Sequence, residues 1–410
     1  MSNLAIRGGK PVRTAPFPDW LPGREKGLEA LDRVLQSRTL GIGSQEIEEF
    51  EHKFAAFCQS SHAISCTNGT DALYIALQAM GIGAGDEVIV PSYTFIATAI
   101  AVLMVNAIPV FADIDPDSYN INPEDVRRKI TPATRAIIPV HIAGNPAHMD
   151  NIMQIAQEHN LYVLEDCAQA PGAEWRSHRV GSIGHAGTFS FQSSKNLSAG
   201  EGGAIVTGDH ELAKKIRSFT NCGRIEGGAW YDHYEVAGNH RLSAFQAAIL
   251  NVGLEQIEEQ MQRREENARY LASLLDAIDG ITQTSTYEGT TRHAWHLVIL
   301  RYHKEHFQQM PLEQFVKVLQ QEGIPASTGY VPLYRFHVFQ NLEQKFKGFD
   351  MLYKGKFDAR NIHCPVCEYV CAEEAVWLPQ NVLLGTHQDM EDIAEAIRKV
   401  QQYADEAKHA

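Results

Sequence analysis

The chain has 410 residues, 44% of them hydrophobic and 21% charged, which is the balance of a folded protein with room for two cores and little for long disorder. Its 36 basic residues against 50 acidic ones leave a net charge of -14, which repels a phosphate backbone and argues against a nucleic-acid or anionic-membrane partner. The longest apolar run, 96–105, falls far short of the ~20 residues of a membrane helix and is closed by Asn106 and Pro109.

In chain order, residues 1–19 carry no apolar segment ahead of a small-residue cleavage site, so no signal peptide is read and a cytoplasmic location is expected. From about 60 to 210 short apolar segments alternate with helix-like stretches. The predicted strands are 63–66, 87–90, 109–113, 136–140, 161–165, 187–191 and 204–206. They define an α/β fold with a mainly parallel seven-stranded sheet between helices. Several strands end in polar residues, and in open α/β sheets ligands collect at the carboxyl ends of strands.

Residues 241–278 carry an apolar stripe (Phe245, Ala248, Ile249, Val252, then Tyr270, Leu271, Leu274) that suits one or two long helices bridging two domains. A strand at 294–301 and helices at 312–322 and 389–408 suggest a smaller α/β C-terminal domain. The expected division is 1–258 and 259–410. Seven scattered cysteines do not form a disulfide framework and are expected to stay reduced. Cys364, Cys367 and Cys371 follow His363 at C-x-x-C-x-x-x-C spacing, which would suit zinc or an iron-sulfur cluster if a fourth ligand were supplied. Buried structural thiols are the better reading, and no metal is expected.

Four segments carry chemistry. Cys66-Thr-Asn-Gly69-Thr70-Asp71 follows a strand and opens a helix, so free N–H groups and the positive helix end form a phosphate cup. By itself the motif also fits an ordinary capped helix. Pro91-Ser-Tyr93-Thr-Phe95 places aromatics just past a strand, where one ring could stack on a ligand, although aromatics there commonly serve the core. Asp166 ends the apolar run 161–165, where a carboxylate can pair with a pyridinium nitrogen, or simply cap a helix.

The fourth segment is Ser190-Phe-Gln-Ser-Ser-Lys195, followed by the glycine-rich Gly200-Glu-Gly-Gly203. A lysine held over a pocket and partly desolvated loses basicity and becomes a nucleophile, which is what pyridoxal phosphate (PLP) requires of the residue it bonds to. A lone lysine beside a turn is ordinarily a surface lysine; it is Asp166, one crossing away, that favours the cofactor. Ser190, five residues earlier, adds a hydroxyl for the phosphate.

Taken in order, these segments resemble the DegT/StrS-type family of PLP-dependent sugar and cyclitol aminotransferases, which has the aspartate-aminotransferase fold (fold type I). The resemblance also takes in Leu4-Ala-Ile-Arg-Gly-Gly-Lys-Pro-Val-Arg13, Pro139-Val-His-Ile-Ala-Gly144, Glu165-Asp-Cys-Ala-Gln169, Gly238-Asn-His-Arg-Leu-Ser243 and Cys364-Pro. It implies that Lys195 carries the cofactor as a Schiff base, Asp166 holds the ring nitrogen and Gln169 lies beside the ring hydroxyl. It further implies that Gly69, Thr70 and Ser190 hold the phosphate and that Phe95, rather than Tyr93, stacks on the ring. Asn239 matches a residue that reaches the phosphate of the neighbouring subunit, so a homodimer with shared active sites is expected. His240 departs from the pattern, where tyrosine is more usual.

The implied reaction moves an amino group from glutamate or glutamine to a nucleotide-linked ketosugar or a ketocyclitol, in two half-reactions at one site. Two rivals share the fold: a 3-deoxysugar dehydratase, which replaces the lysine with histidine, and an aminodehydroxybenzoate-synthase type, which uses its lysine for an aromatising dehydration. A non-catalytic PLP-binding regulator is the third alternative, but no nucleic-acid-binding module is visible. The N-terminal segment and Cys364-Pro-Val-Cys resemble the cyclitol and antibiotic-sugar branch.

Overall fold

The computed structural model describes residues 3–410. All seven predicted strands are present: β1 (His62–Cys66), β2 (Glu87–Pro91), β3 (Ile108–Ala112), β4 (Thr134–Ile137), β5 (Tyr162–Asp166), β6 (Ala186–Ser190) and β7 (Gly203–Thr207). They form one sheet in the order β1-β7-β6-β5-β4-β2-β3, in which only β7 runs antiparallel to its neighbours. β4 ends earlier than predicted, at Ile137 rather than 140. Pro139 has no N–H to give the ladder, and the pairing resumes as an isolated bridge between Val140 and Asp166.

Helix α1 (Gly69–Ala79) follows β1 and packs its apolar side, including Leu73, Ala76 and Leu77, into the core on one face of the sheet. On the other side of β6, Phe189 and Phe191 meet Phe50 and Phe54 of the helix Gln45–Phe57, with the Phe54 ring edge-on to Phe189 at 4.9 Å and to Phe191 at 5.3 Å. The alternation of side chains along a strand then turns the intervening Ser190 away from this wedge. The helix Gln45–Phe57 and the helix before it, Arg24–Ser37, were not anticipated from the sequence.

The stretch 241–278 forms a single helix, α2 (Ala244–Leu275), started by a capping box between Ser243 and Gln246. Its first half packs Leu250, Ile257 and Met261 into the core beneath β6, and its last turns pack Ala268, Leu271 and Leu275 into a second core. That second core is built on a small sheet of β8 (Ile281–Gln283), β9 (Leu297–Tyr302) and β10 (Ala375–Pro379), in the order β8-β9-β10. It is covered by α3 (Leu312–Gln321) and α4 (His387–Gln402). The final helix stops at Tyr403 and restarts as a short turn, Ala404–Lys408.

Two segments cross between the cores. Leu4 is buried in the second core, and Arg13 pairs with Asp389 and Asp392 of α4 before the chain crosses to Trp20. Between β9 and β10, Tyr334, Phe339 and Phe357 leave the small sheet and surround Phe111 on edge strand β3. Cys364 and Cys367 are buried in that same region, where the Asp113 carboxylate accepts the N–H groups of Val366 and Cys367 at 3.0 and 2.9 Å. The thiols of Cys367 and Cys371 lie 3.9 Å apart.

The Phe54 wedge supports the strand that carries Ser190. Phe54→Ala is expected to cost about 3–5 kcal/mol of stability, read as a lower urea midpoint at unchanged slope. A loss below about 1 kcal/mol would show that neighbouring rings close over the gap.

Candidate active site

The carboxyl ends of β1, β2, β5 and β6 open on a cavity of about 940 Å³, closed from the opposite side by Tyr330, Trp377 and Gln380 and from the N-terminal segment by Trp20. Gly69, Thr70, Phe95, Asp166, Gln169, Ser190 and Lys195 all line it. Residues separated by more than a hundred positions in sequence therefore share one space.

At the start of α1, the Asn68 side chain caps the helix by accepting the Asp71 N–H at 2.8 Å. The N–H groups of Gly69 and Thr70 have no partner among the described residues and remain for a ligand. Gly69 is required here: a Cβ would stand 2.7 Å from the Ser190 Cβ. Its absence lets the helix end and the Ser190 hydroxyl sit side by side, which is the form of a phosphate cup.

Asp166 ends β5 and is buried. It accepts from the Thr98 hydroxyl at 2.8 Å and the Ala168 N–H at 3.2 Å. Burial nevertheless pushes its carboxyl above the usual range, against those bonds and the charge of Lys195. A positively charged ring nitrogen beside it would reverse that shift, so the carboxylate is suited to a pyridinium. Immediately before it, Glu165 is fully buried and accepts from His141 Nε2 at 3.0 Å, Gly181 N–H at 2.8 Å, Ile183 N–H at 2.8 Å and Gly184 N–H at 2.6 Å. His141 Nδ1 in turn accepts the Ala147 N–H at 3.0 Å, which assigns the proton to Nε2. Cys167 lies close to this pair, but the lone pairs a metal would need on His141 and Glu165 are already engaged.

Burial also lowers Lys195, to about 8, with the Asp166 charge pulling the other way. Trp20 Nε1 donates to the Lys195 carbonyl at 3.0 Å. Next to Lys195, Asn196 donates to the Ala294 carbonyl at 2.7 Å and bonds His296 at 3.1 Å, fastening the lysine loop to the segment that leads into β9. His296 is held neutral by burial and by the positive charges of Lys195 and Arg264. Gln169 accepts the Ala143 N–H at 2.6 Å and donates to the Tyr330 hydroxyl at 3.0 Å. Thr98, Tyr330, His296 and Gln380 were not singled out from the sequence, and each acts through a partner distant in the chain.

Phe95 stands on the cavity wall and is 56% exposed, whereas Tyr93 is fully buried and accepts from Trp377 Nε1 at 2.9 Å. Asn239 does not line the cavity of its own chain and is exposed. The adjoining His240 turns inward, bonding the Asp71 carboxylate through Nδ1 at 3.0 Å, while its carbonyl accepts the Thr67 N–H at 2.9 Å.

A mainly parallel seven-stranded sheet, a second small sheet reached along one long helix, and a desolvated lysine, a buried carboxylate and a free helix start lining one cavity define an aminotransferase of fold type I. The chain belongs to the DegT/DnrJ/EryC1/StrS aminotransferase family, whose model matches residues 23–398. It is 37% identical to an L-glutamine:2-deoxy-scyllo-inosose aminotransferase of Streptoalloteichus tenebrarius over 97% of each chain. With the protein of that name from Streptomyces fradiae it shares 38% identity over 98% of each chain. Its fold is similar to the crystal structure of a 3-amino-5-hydroxybenzoic acid synthase, with a TM-score of 0.85 and 33% identity over 97% of this chain and 100% of the other. No helix among the described residues is long and apolar enough to cross a membrane.

Only the neutral amine of Lys195 attacks a carbonyl, and its fraction grows with pH until the amine is fully deprotonated. Reloading of cofactor-free enzyme should therefore accelerate about tenfold per pH unit below about 8 and level off above it. A rate still climbing about tenfold between roughly pH 9 and 10, followed by stopped-flow absorbance, would place Lys195 at its ordinary value.

Proposed function

We propose that this chain is a PLP-dependent aminotransferase that takes the amino group of glutamine, or of glutamate, and delivers it to a ketocyclitol or a related nucleotide-linked ketosugar. The observation that carries the cofactor is the convergence of Lys195, Asp166 and the Gly69, Thr70 and Ser190 cup on one cavity. The names of the glutamine-dependent cyclitol aminotransferases to which it is similar support the donor and the acceptor.

When bound, pyridoxal phosphate supplies a carbonyl that bonds amines and a cationic ring that withdraws electrons from the donor's α-carbon. Asp166 keeps the ring nitrogen protonated. Gly69 and Thr70 N–H groups and the Ser190 hydroxyl would take the phosphate, Gln169 would serve the ring hydroxyl, and Phe95 would cover the ring face. Lys195 would hold the cofactor through its amine and, once released, would move a proton at the donor's α-carbon. Both half-reactions use this one lysine, so ping-pong kinetics follow. The reading carries the division into domains at 1–258 and 259–410, and a cytoplasmic location, where the seven free thiols would stay reduced.

The alternative, an aromatising dehydration, is less favoured by the names of the relatives and is separated from the first reading by experiment. The two differ in one assay. Under the first, glutamine removes the visible absorbance of the loaded enzyme and a ketocyclitol restores it as nitrogen is transferred. Formation of an aromatic product with no amino donor consumed would select the second.

Lys195→Ala should abolish transamination while leaving the fold and some cofactor binding, because the covalent bond and the proton shuttle are lost together. Asp166→Asn keeps a group able to bond Thr98 but not the charge, and should be nearly as harmful. Turnover near the parental rate in either variant would remove that residue from the mechanism.

The reading also includes a homodimer in which Asn239 serves the neighbour's phosphate. Supporting it, the segment around Asn239 exposes Ile225, Trp230, Tyr231, Tyr234 and Val236, an apolar surface suited to a second copy. Asn239→Asp should expel the cofactor by setting charge against the phosphate. When the two inactive variants Lys195→Ala and Asn239→Asp are refolded together, about half the dimers are mixed and each holds one intact site, so roughly a quarter of parental activity should return. A mixture as inactive as its parents would assign Asn239 to its own subunit.

A further inference from the structure

Behind the cavity wall lies a buried cation without a counter-ion. Arg264, on α2, is 0% exposed. Its Nε donates to Oε1 of Gln380 at 2.9 Å, its Nη2 donates to that same oxygen, and Nη2 also donates to Gln260 Oε1 at 3.2 Å. Nη1 has no partner among the described residues. Burial alone lowers its pKa, to about 9, with no carboxylate offsetting the loss of water. Arg13, the other buried arginine, shows the contrast: it is paired with two carboxylates. An uncompensated guanidinium in an apolar setting is costly and calls for a reason.

Gln380 supplies one. It lines the cavity just past β10, and its Nε2 is a second buried donor with no partner. Because Arg264 occupies the amide oxygen, the amide's orientation is fixed and its NH₂ can serve only an acceptor. Two orphaned donors thus lie together, that of Gln380 on the cavity wall and that of Arg264 behind it, and both call for an acceptor, best of all an anion. The rest of the wall offers no other cation for that anion: among the described lining residues the only lysine is Lys195, committed to the cofactor, and there is no arginine, whereas Asp71, Asp166 and Glu201 are all acidic. A cyclitol acceptor is neutral. The amino donor is not, since every α-amino acid brings a carboxylate.

We propose that Gln380, oriented by Arg264, receives the α-carboxylate of the amino donor, with Arg264 behind it as the buried counter-charge. The inference rests on the aminotransferase reading above and adds the residues that recognise the donor. Gln380 is the contact, and Arg264 is a positioning residue.

The test measures each half-reaction of the loaded enzyme separately by stopped-flow absorbance, together with thermal melts. Donors are L-glutamine and 4-aminobutanamide, which is glutamine without its carboxylate. The variants are Q380E, whose new carboxylate neutralises Arg264 and repels the donor, and R264M. In both, kcat/KM for glutamine should fall about tenfold to a hundredfold, mainly through KM, as expected for losing a charge-assisted hydrogen bond. The rate with 4-aminobutanamide and the half-reaction with a ketocyclitol should change by less than about threefold, because neither presents a carboxylate. R264M should melt no lower than the parent, since an unpaired buried charge is replaced by an apolar side chain. If R264M fails to fold, Q380E still decides the matter, because it retains the guanidinium contact.

Equal losses with both donors, or in both half-reactions, would mean that the pair is structural and would overturn the proposal. Unchanged discrimination between the two donors in Q380E would do the same. Failure of the parental enzyme to react with any α-amino acid would instead defeat the underlying reading of the reaction.

Discussion

The structure turns on one buried carboxylate that does not line the cavity. Glu165 accepts four hydrogen bonds, from His141 and from the N–H groups of Gly181, Ile183 and Gly184, with no exposure to water. A carboxylate so enclosed is tolerable only when its lone pairs are filled, and filling them draws two chain segments, one at His141 and one at 181–184, to the end of β5. The backbone then has little freedom. Asp166 N–H donates to the Pro139 carbonyl, and the His141 N–H to the Asp166 carbonyl, so the next side chain must emerge into the cavity. The position of Asp166 is thus set by a neighbour facing the opposite way, and the lysine loop is set against it by Asn196 and His296.

The phosphate cup is organised in a similar way. Asp71 fixes the first turn of α1 by receiving Thr67, Asn68 and His240 on one oxygen. His240 stands where the family more usually has tyrosine, and it serves here as a short link between that carboxylate and the segment leading to Asn239. Whatever holds the cup therefore also fixes the root of the exposed segment, with a single residue between them.

The strands were legible because each is a short apolar run followed by polar residues, the signature of a parallel strand buried on both faces. That Lys195, Asp166, Ser190, Gly69 and Thr70 meet at one cavity was legible because they follow or end strands whose carboxyl ends share one edge of the sheet. What escaped was set by convergence. Thr98, Tyr330 and Gln380 are ordinary residues until the fold places them against Asp166, Gln169 and Arg264. The helix Arg24–Ser37 buries only Gly27, Ala30 and Val34, against Ala244, Ala248 and Val252 of α2, while Leu28 and Leu35 face outward, so its apolar side is narrow and misleading. The early end of β4 needed the realisation that Pro139 interrupts the ladder. The aromatic packing of 334–357 on β3 has no local periodicity from which to read it.

The first twenty residues have a practical consequence. Leu4 is anchored in the small core, Arg13 is pinned to α4, and Trp20 donates to the Lys195 carbonyl while its own carbonyl accepts from Gln260. The strand of chain between these anchors has little regular structure, so by composition and outline it looks like a tail to be trimmed for crystallisation or replaced by a fusion partner. It supplies part of the cavity wall and straps the second core to the lysine loop. Cutting after Trp20 would remove that strap and open the cavity to water beside Lys195.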